Sequence, residues 1–165
     1  MELQIREARP EDAAAITEIL NPIIEAGTFT ALDTPFSVDA ERAFLEGFPS
    51  RGIFHVAVDG AGRLVGFQDV SPFADYTRAF DHVGVIGTFV DLAFRRRGIA
   101  GRLFRATFDA ARLKGYEKFF TFIRADNPAA LATYQRHGFE VIGTAKRQAK
   151  TKFGYVDEIL VEAFL

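Results

Sequence analysis

The chain has no cysteine, no tryptophan and a single methionine. Without cysteine there is no disulfide framework, no thiolate nucleophile and no sulfur-ligated metal. The three histidines, His55, His82 and His137, are far apart and match no metal-ligand spacing, so no metal is expected. Charge of one sign is also missing. A net charge of −2 and a pI near 5.9 give no global attraction to a nucleic-acid backbone. No apolar run approaches the ~20 residues of a membrane span, and Glu2 to Arg9 alternates polar and apolar residues, unlike a leader. The expectation is a cytoplasmic protein that meets neither membrane nor nucleic acid.

What the chain does have is core-forming material. Of 165 residues, 48% are hydrophobic and 18 are phenylalanine, enough for one domain spanning 1–165 with a Phe-filled core. Leu3 and Ile5 alternate with polar neighbours as a short strand. Pro10-Glu11-Asp12 suits the first turn of a helix whose buried face is Ile16, Ile19, Leu20 and Ile23, stopped at Gly27. Ser37 caps a second helix to about Phe48, with Phe44 and Leu45 inward. Strands at Ile53 to Val58 and Leu64 to Val70 flank the hairpin signal Asp59-Gly60-Ala61-Gly62.

After a loop from Ser71 to Asp81 come a strand from Val83 to Asp91 and a helix from Gly98 to about Leu113. Lys118 to Ile123 is a further strand, and Asp126-Asn127-Pro128 opens a helix ending at His137-Gly138. Two closing antiparallel strands, Val141 to about Ala149 and Tyr155 to Leu165, meet around Lys152-Phe153-Gly154. The order β-α-α-β-β-β-α-β-α-β-β predicts an α+β fold, a mixed sheet with helices on its faces.

The most informative stretch runs from Thr88 to Phe104, where a strand enters an Arg/Gly-rich turn and then a helix. A helix N-terminus carries unpaired N–H groups and the positive end of the macrodipole, so it attracts phosphate. Gly98, Ala100 and Gly101 are small enough for backbone to approach such a ligand, and Arg95, Arg96 and Arg97 add charge. An isolated basic triplet is usually a solvated face; here a glycine and an amphipathic helix follow directly. A dinucleotide loop needs Gly-x-Gly-x-x-Gly, and a P-loop needs Gly-Lys-Ser/Thr. Neither is present.

Arg95-x-x-Gly98-x-Ala100 at this junction resembles the acyl-CoA pyrophosphate loop of the GNAT N-acetyltransferase superfamily. Asn127-Pro128-Ala129-Ala130 with Tyr134 and Gly138-Phe139 resembles that superfamily's second motif. Within it, the chain looks most like the phosphinothricin and methionine sulfone/sulfoximine acetyltransferases. Asn21 ending the first helix, Thr28-Phe29, Ser37 with Glu41-Arg42, and Lys152-Phe153-Gly154 before Asp157 carry that likeness.

The resemblance implies a GNAT fold with a mixed, mostly antiparallel sheet flanked by helices. It also implies acetyl-CoA as co-substrate and direct attack of an amine on the thioester. Phe89 and Val90 would then present backbone to the pantetheine arm, and N–H groups among Arg96, Arg97, Gly98, Ile99, Ala100 and Gly101 would cradle the pyrophosphate. Asp91, Arg95, Arg102 and Asn127 complete the implied cofactor contacts. Tyr134 would protonate or hold the departing thiolate and also touch the cofactor; as a packing residue it would be a half-buried tyrosine with its hydroxyl paired. Asn127 equally suits the cap of its own helix.

The acceptor side departs from the family. The position of the family's proposed basic Glu is Val85, which cannot take a proton. Asp81, His82 and Asp69 are nearby in sequence or on the neighbouring strand; His82 is the preferred candidate because an imidazole suits proton transfer at neutral pH. A base-free route is open to an α-amino group, about a tenth of which is neutral at pH 7. The resemblance places the acceptor among Thr28 to Thr30, Phe73 to His82 and Lys152 to Tyr155, with Phe29, Tyr76, Arg78 and Lys152 as candidate contacts. Arg78 or Lys152 would hold a carboxylate.

The expectation is thus a transferase acting on a small amine, an amino acid or close analogue. Acetylation of a protein or peptide, or a non-catalytic acyl-CoA sensor, are the alternatives. Dimers are common in the resembling subfamily, so a homodimer is an expectation carried by resemblance alone.

Overall fold

A computed structural model describes residues 2–165. Seven strands form one sheet: β1 (Leu3–Glu7), β2 (Ile53–Asp59), β3 (Leu64–Pro72), β4 (Val83–Val90), β5 (Lys118–Arg124), β6 (Glu140–Thr151) and β7 (Gly154–Phe164). Their spatial order is β1-β2-β3-β4-β5-β7-β6. Four helices, α1 (Ala13–Ala26), α2 (Val38–Glu46), α3 (Ile99–Leu113) and α4 (Pro128–Arg136), complete the chain in the order read from sequence. Every neighbouring strand pair is antiparallel except β4 and β5.

The two faces of the sheet bury different helices. Ile16, Ile19, Leu20, Ile23 and Ile24 of α1 pack on Phe54, Val56 and Phe67. On the other face α3 and α4 cover Ile53, Val70, Ile86, Phe119, Ile123 and Val161, with Phe104 at the centre. Strand alternation therefore sorts β3 and β4 cleanly: Phe67 and Asp69, with Phe89 and Gly87 opposite, face α1 and α2; Gln68 and Thr88 face α3 and α4.

Three details differ from the sequence reading. Pro10–Asp12 is a single 3-10 turn, and the α-helix begins at Ala13. There Asp12 accepts two 2.8 Å hydrogen bonds from the Arg6 guanidinium, which holds its carboxyl below the ordinary range. Asn21 does not end the first helix, which runs through Pro22 to Ala26 and closes at Gly27. Pro22 is exposed, so the carbonyl it leaves without a donor meets water. Asn21 instead clamps a loop, donating to Phe36 O and accepting from Phe36 N, both at 2.9 Å. Finally, Phe44 is 51% exposed while Glu41, on the same helix, is buried.

Phe119 is fully buried between Phe108 and Tyr116. Phe119→Ala is expected to cost about 3–5 kcal/mol, read from urea unfolding midpoints at constant slope.

Candidate active site

The site begins where β4 and β5 part. They pair only at Val83–Lys118, Gly84–Phe119 and Val85–Phe120, after which β4 stays with β3 and β5 stays with β7. A wedge opens between Ile86–Val90 and Thr121–Arg124. The hydrogen-bond parity of β4 is fixed at both ends: Val83 O accepts from Phe73 N and Asp91 N donates to Val65 O, each 3.0 Å. Odd-numbered backbone thus turns to β3, and the N–H and C=O of Thr88 and Val90 face the wedge. The backbone of Phe89 belongs to the β3 ladder; only its ring reaches the site, stacked on Phe67.

A groove of about 780 Å³ fills the wedge. It runs from Ile23 and Phe29, past Thr88, Phe89 and Val90, to the start of α3 and one side of α4. Of the residues expected at a cofactor, Phe89, Val90, Arg95, Arg96, Gly98, Ile99, Ala100, Gly101, Asn127 and Tyr134 line it. Asp91, Arg97 and Arg102 are outside. Asp91 caps the turn that follows β4 by accepting from Ala93 N at 2.8 Å. The Arg97 guanidinium lies over Phe94, and Arg102 donates to Leu3 O at 3.2 Å.

The start of α3 has the features of an anion site. Ser37 caps α2 and Asn127 caps α4 with side-chain oxygens, but α3 has no side-chain cap. Its N-cap, Gly98, sits at φ 76°, a left-handed conformation natural to glycine, and Arg96 shares that region at φ 62°. A non-glycine residue there costs about 1 kcal/mol or more. Ile99, Ala100 and Gly101, which open α3 with their N–H groups uncapped by any side chain, line the groove. Arg95, Arg96 and Arg136 supply positive charge along the same wall. An acyl-CoA pyrophosphate fits this cradle: small residues, free N–H groups and guanidinium groups converge.

Beyond the cradle lies a buried polar chain. Tyr134 donates to Thr88 Oγ1 at 3.0 Å, and Gln68 Nε2 donates to the same oxygen at 2.8 Å. Burial raises the Tyr134 hydroxyl above the usual phenol range; the Thr88 hydrogen bond opposes this and the charge of Asp69 adds to it. Tyr134 thus keeps its proton at any working pH, as a proton donor must. Its ring packs edge-on against Phe104 and Phe139, which fixes where the hydroxyl points. Gln68 is fully buried and its Oε1 has no protein partner, a polar cost carried inside the sheet.

Asn127 does two jobs at once. Its Oδ1 accepts from Ala130 N and its Nδ2 donates to Phe29 O, each at 3.2 Å, so it caps α4 and fastens the loop after α1. Arg124 donates to Thr30 O at 3.0 Å, and Arg95 stacks on the Phe29 ring at 4.1 Å. Phe29, the first of the candidate acceptor contacts, lines the groove, held by Asn127 and Arg95 while Arg124 holds its neighbour Thr30.

The remaining acceptor candidates do not reach this groove. Tyr76 is 79% exposed, and Arg78 is an exposed partner of Asp81 at 3.5 Å. Lys152 sits in the β6–β7 turn, which does approach the loop after α1: its N donates to Asp33 Oδ2, and Phe153 covers Gly27. His82 precedes β4 at the far end, roughly 20 Å from Thr88 at about 3.3 Å per strand residue. Thr88, Gln68 and His137 were missed as site residues. A polar pair inside otherwise apolar strands was the available signal.

The order of elements, the parting of β4 and β5 and the phosphate cradle together match one family. The acetyltransferase (GNAT) family model covers residues 15–139. The chain belongs to the GNAT family. It is an acetyltransferase of that family, whose co-substrate is acetyl-CoA. Over 158 residues it is 27% identical to the L-methionine sulfoximine/L-methionine sulfone acetyltransferase of Pseudomonas aeruginosa, covering 93% of this chain and 89% of that one. Over 159 residues it is 28% identical to the L-amino acid N-acetyltransferase AaaT of Escherichia coli, covering 94% of each. In fold it matches a GNAT superfamily phosphinothricin acetyltransferase from Sinorhizobium meliloti in complex with AcCoA, with a TM-score of 0.91 at 22% identity, over 100% of this chain and 89% of that one. Among the described residues of this GNAT chain, no helix is long and apolar enough to cross a membrane.

Loss of the Asn127 side chain removes a cap and a loop tether together. Asn127→Ala is expected to destabilise the fold by about 1–2 kcal/mol in chemical denaturation. It should also shrink the rise in melting temperature that acetyl-CoA produces.

Proposed function

We propose that this chain transfers acetyl from acetyl-CoA to the amine of a small molecule, an amino acid or a close analogue such as a sulfoximine. The observation that carries the reading is Tyr134: a buried, protonated hydroxyl on Thr88, beside the backbone that faces the wedge. A protein that merely bound acyl-CoA would have no use for a proton donor there. The names of the Pseudomonas and Escherichia relatives support an amino-acid-like acceptor.

In this reading the α3 N-terminus and Arg95, Arg96 and Arg136 hold the phosphates. Thr88 and Val90 offer backbone N–H and C=O groups along the pantetheine arm and at the thioester oxygen, where a fixed donor polarises the carbonyl. The amine attacks the carbonyl carbon directly, and Tyr134 gives its proton to the sulfur as the C–S bond breaks. The acceptor enters from the α1 side, past Phe29 and the β6–β7 turn.

A panel of amino acids, sulfoximine analogues and short peptides, assayed by thiol release from acetyl-CoA, tests the substrate class. Turnover of small amino-acid-like amines is expected, and turnover of peptides alone would overturn it. Tyr134→Phe should lower kcat by about 10–100-fold and change the acetyl-CoA Kd by less than about threefold. An unchanged kcat removes its role as the acid.

A further inference from the structure

We propose that Asp69, on β3, is the general base that takes the proton from the acceptor amine. This rests on the acetyl-transfer reading above. An ammonium has no lone pair, so an amine that arrives charged must give up a proton before it attacks, and β4 offers only Val85, Gly87 and Phe89 on the face turned to α1 and α2. The neighbouring strand supplies what β4 lacks. Asp69 pairs with Gly87 across the ladder, one residue from Thr88, which carries the Tyr134 hydroxyl.

The placement of the carboxylate is specific. A Cβ at position 87 would lie 2.9 Å from Asp69 Oδ1, so the carboxylate occupies the space that Gly87 vacates over β4. It lies over β4 on the sheet face opposite Tyr134, directly behind the groove: Asp69 and Gly87 adjoin its lining residues Thr88 and Phe89 without themselves lining it. Such an arrangement lets the amine approach from one side while the thiolate leaves on the other.

No arginine or lysine pairs with Asp69 among the described residues. Its neighbours across the sheet are Phe54 and Gly87, which do not titrate. The titratable groups acting around it are Glu41 from the α2 side and the neutral Tyr134 hydroxyl. Burial first, and the Glu41 charge second, push its carboxyl up to about 7. Glu41 is itself raised by burial. Two carboxyls without a cation form a place where an incoming ammonium would be welcome and its proton could be kept.

Protons balance as follows. The ammonium sheds two on becoming an amide. One goes to Asp69 and on to solvent; the second replaces the one that Tyr134 gives to sulfur. The N–C bond forms as the C–S bond breaks.

The test is a pH–rate profile of the wild type, Asp69→Asn and Glu41→Gln with the best amine of the panel. The wild-type kcat should rise through about pH 7. Asp69→Asn should lose about 100-fold at pH 7, and its limb should move up to the ionisation of the amine itself, near 8 for an α-amino group. Its defect should shrink with less basic amines, which a merely structural role would not produce. Glu41→Gln keeps Asp69 and should move the limb to lower pH.

Stability runs the other way. A carboxyl raised on folding stabilises only while protonated, so its contribution is lost as pH rises through about 7. Asp69→Asn should therefore melt higher than the wild type at pH 8, with the acetyl-CoA shift intact. A limb at unchanged pH in both variants, or an Asp69→Asn rate within threefold of wild type, overturns the proposal alone. A wild type that acetylates no amine overturns the acetyl-transfer reading and this proposal with it.

Discussion

The parting of β4 from β5 is the constraint on which the site depends. Three parallel pairs hold the two strands at one end; each then follows a different antiparallel partner. Backbone groups freed in this way would be costly in a closed core. Here they open onto a groove, and the same divergence brings the start of α3 and the flank of α4 to its edges. Strand parity decides the rest: even-numbered positions of β4 give the wedge their backbone and α3 and α4 their side chains, while odd-numbered positions look toward α1 and α2.

The site is also where the fold spends stability. Gln68 keeps an unpaired carbonyl oxygen, Arg96 holds a left-handed backbone, and Tyr134, Asp69 and Glu41 are titratable groups in surroundings that disfavour their charge. Other interior polar groups have partners. His55 meets Thr107 at 3.0 Å under α3, and Arg124 is paired with Asp126 and Thr30. Much of this polar cost gathers on β3, β4 and α4, around the groove, with Glu41 of α2 and Glu158 of β7 outside those elements.

Much of this was legible in the sequence because its local signals agree with the fold. Alternation, caps and turn glycines gave the element order, and the Arg95-to-Gly101 turn announced the phosphate cradle. The motif reading also located Tyr134 and Asn127, whose side chains do meet the groove. Long-range pairing was not legible. The opposition of Asp69 and Gly87 depends on the β3–β4 register, and no local pattern ranks Asp69 above His82. Asn21 looked like a helix end because Pro22 follows it, yet Pro22 faces solvent and the helix tolerates it. Phe44, read as inward, is exposed, and Glu41 is buried, because α2 packs by a face that apolar spacing alone did not define.

The double fastening of Phe29 joins two parts of the groove that look separate. Its ring is covered by Arg95 from the anion cradle, and its carbonyl is held by Asn127 at the head of α4. One arginine thus borders both the start of α3 and the ring that lines the groove on the α1 side, while one asparagine ties the head of α4 to the same loop. The two ends of the groove share a wall, and neither can be rebuilt without disturbing the other.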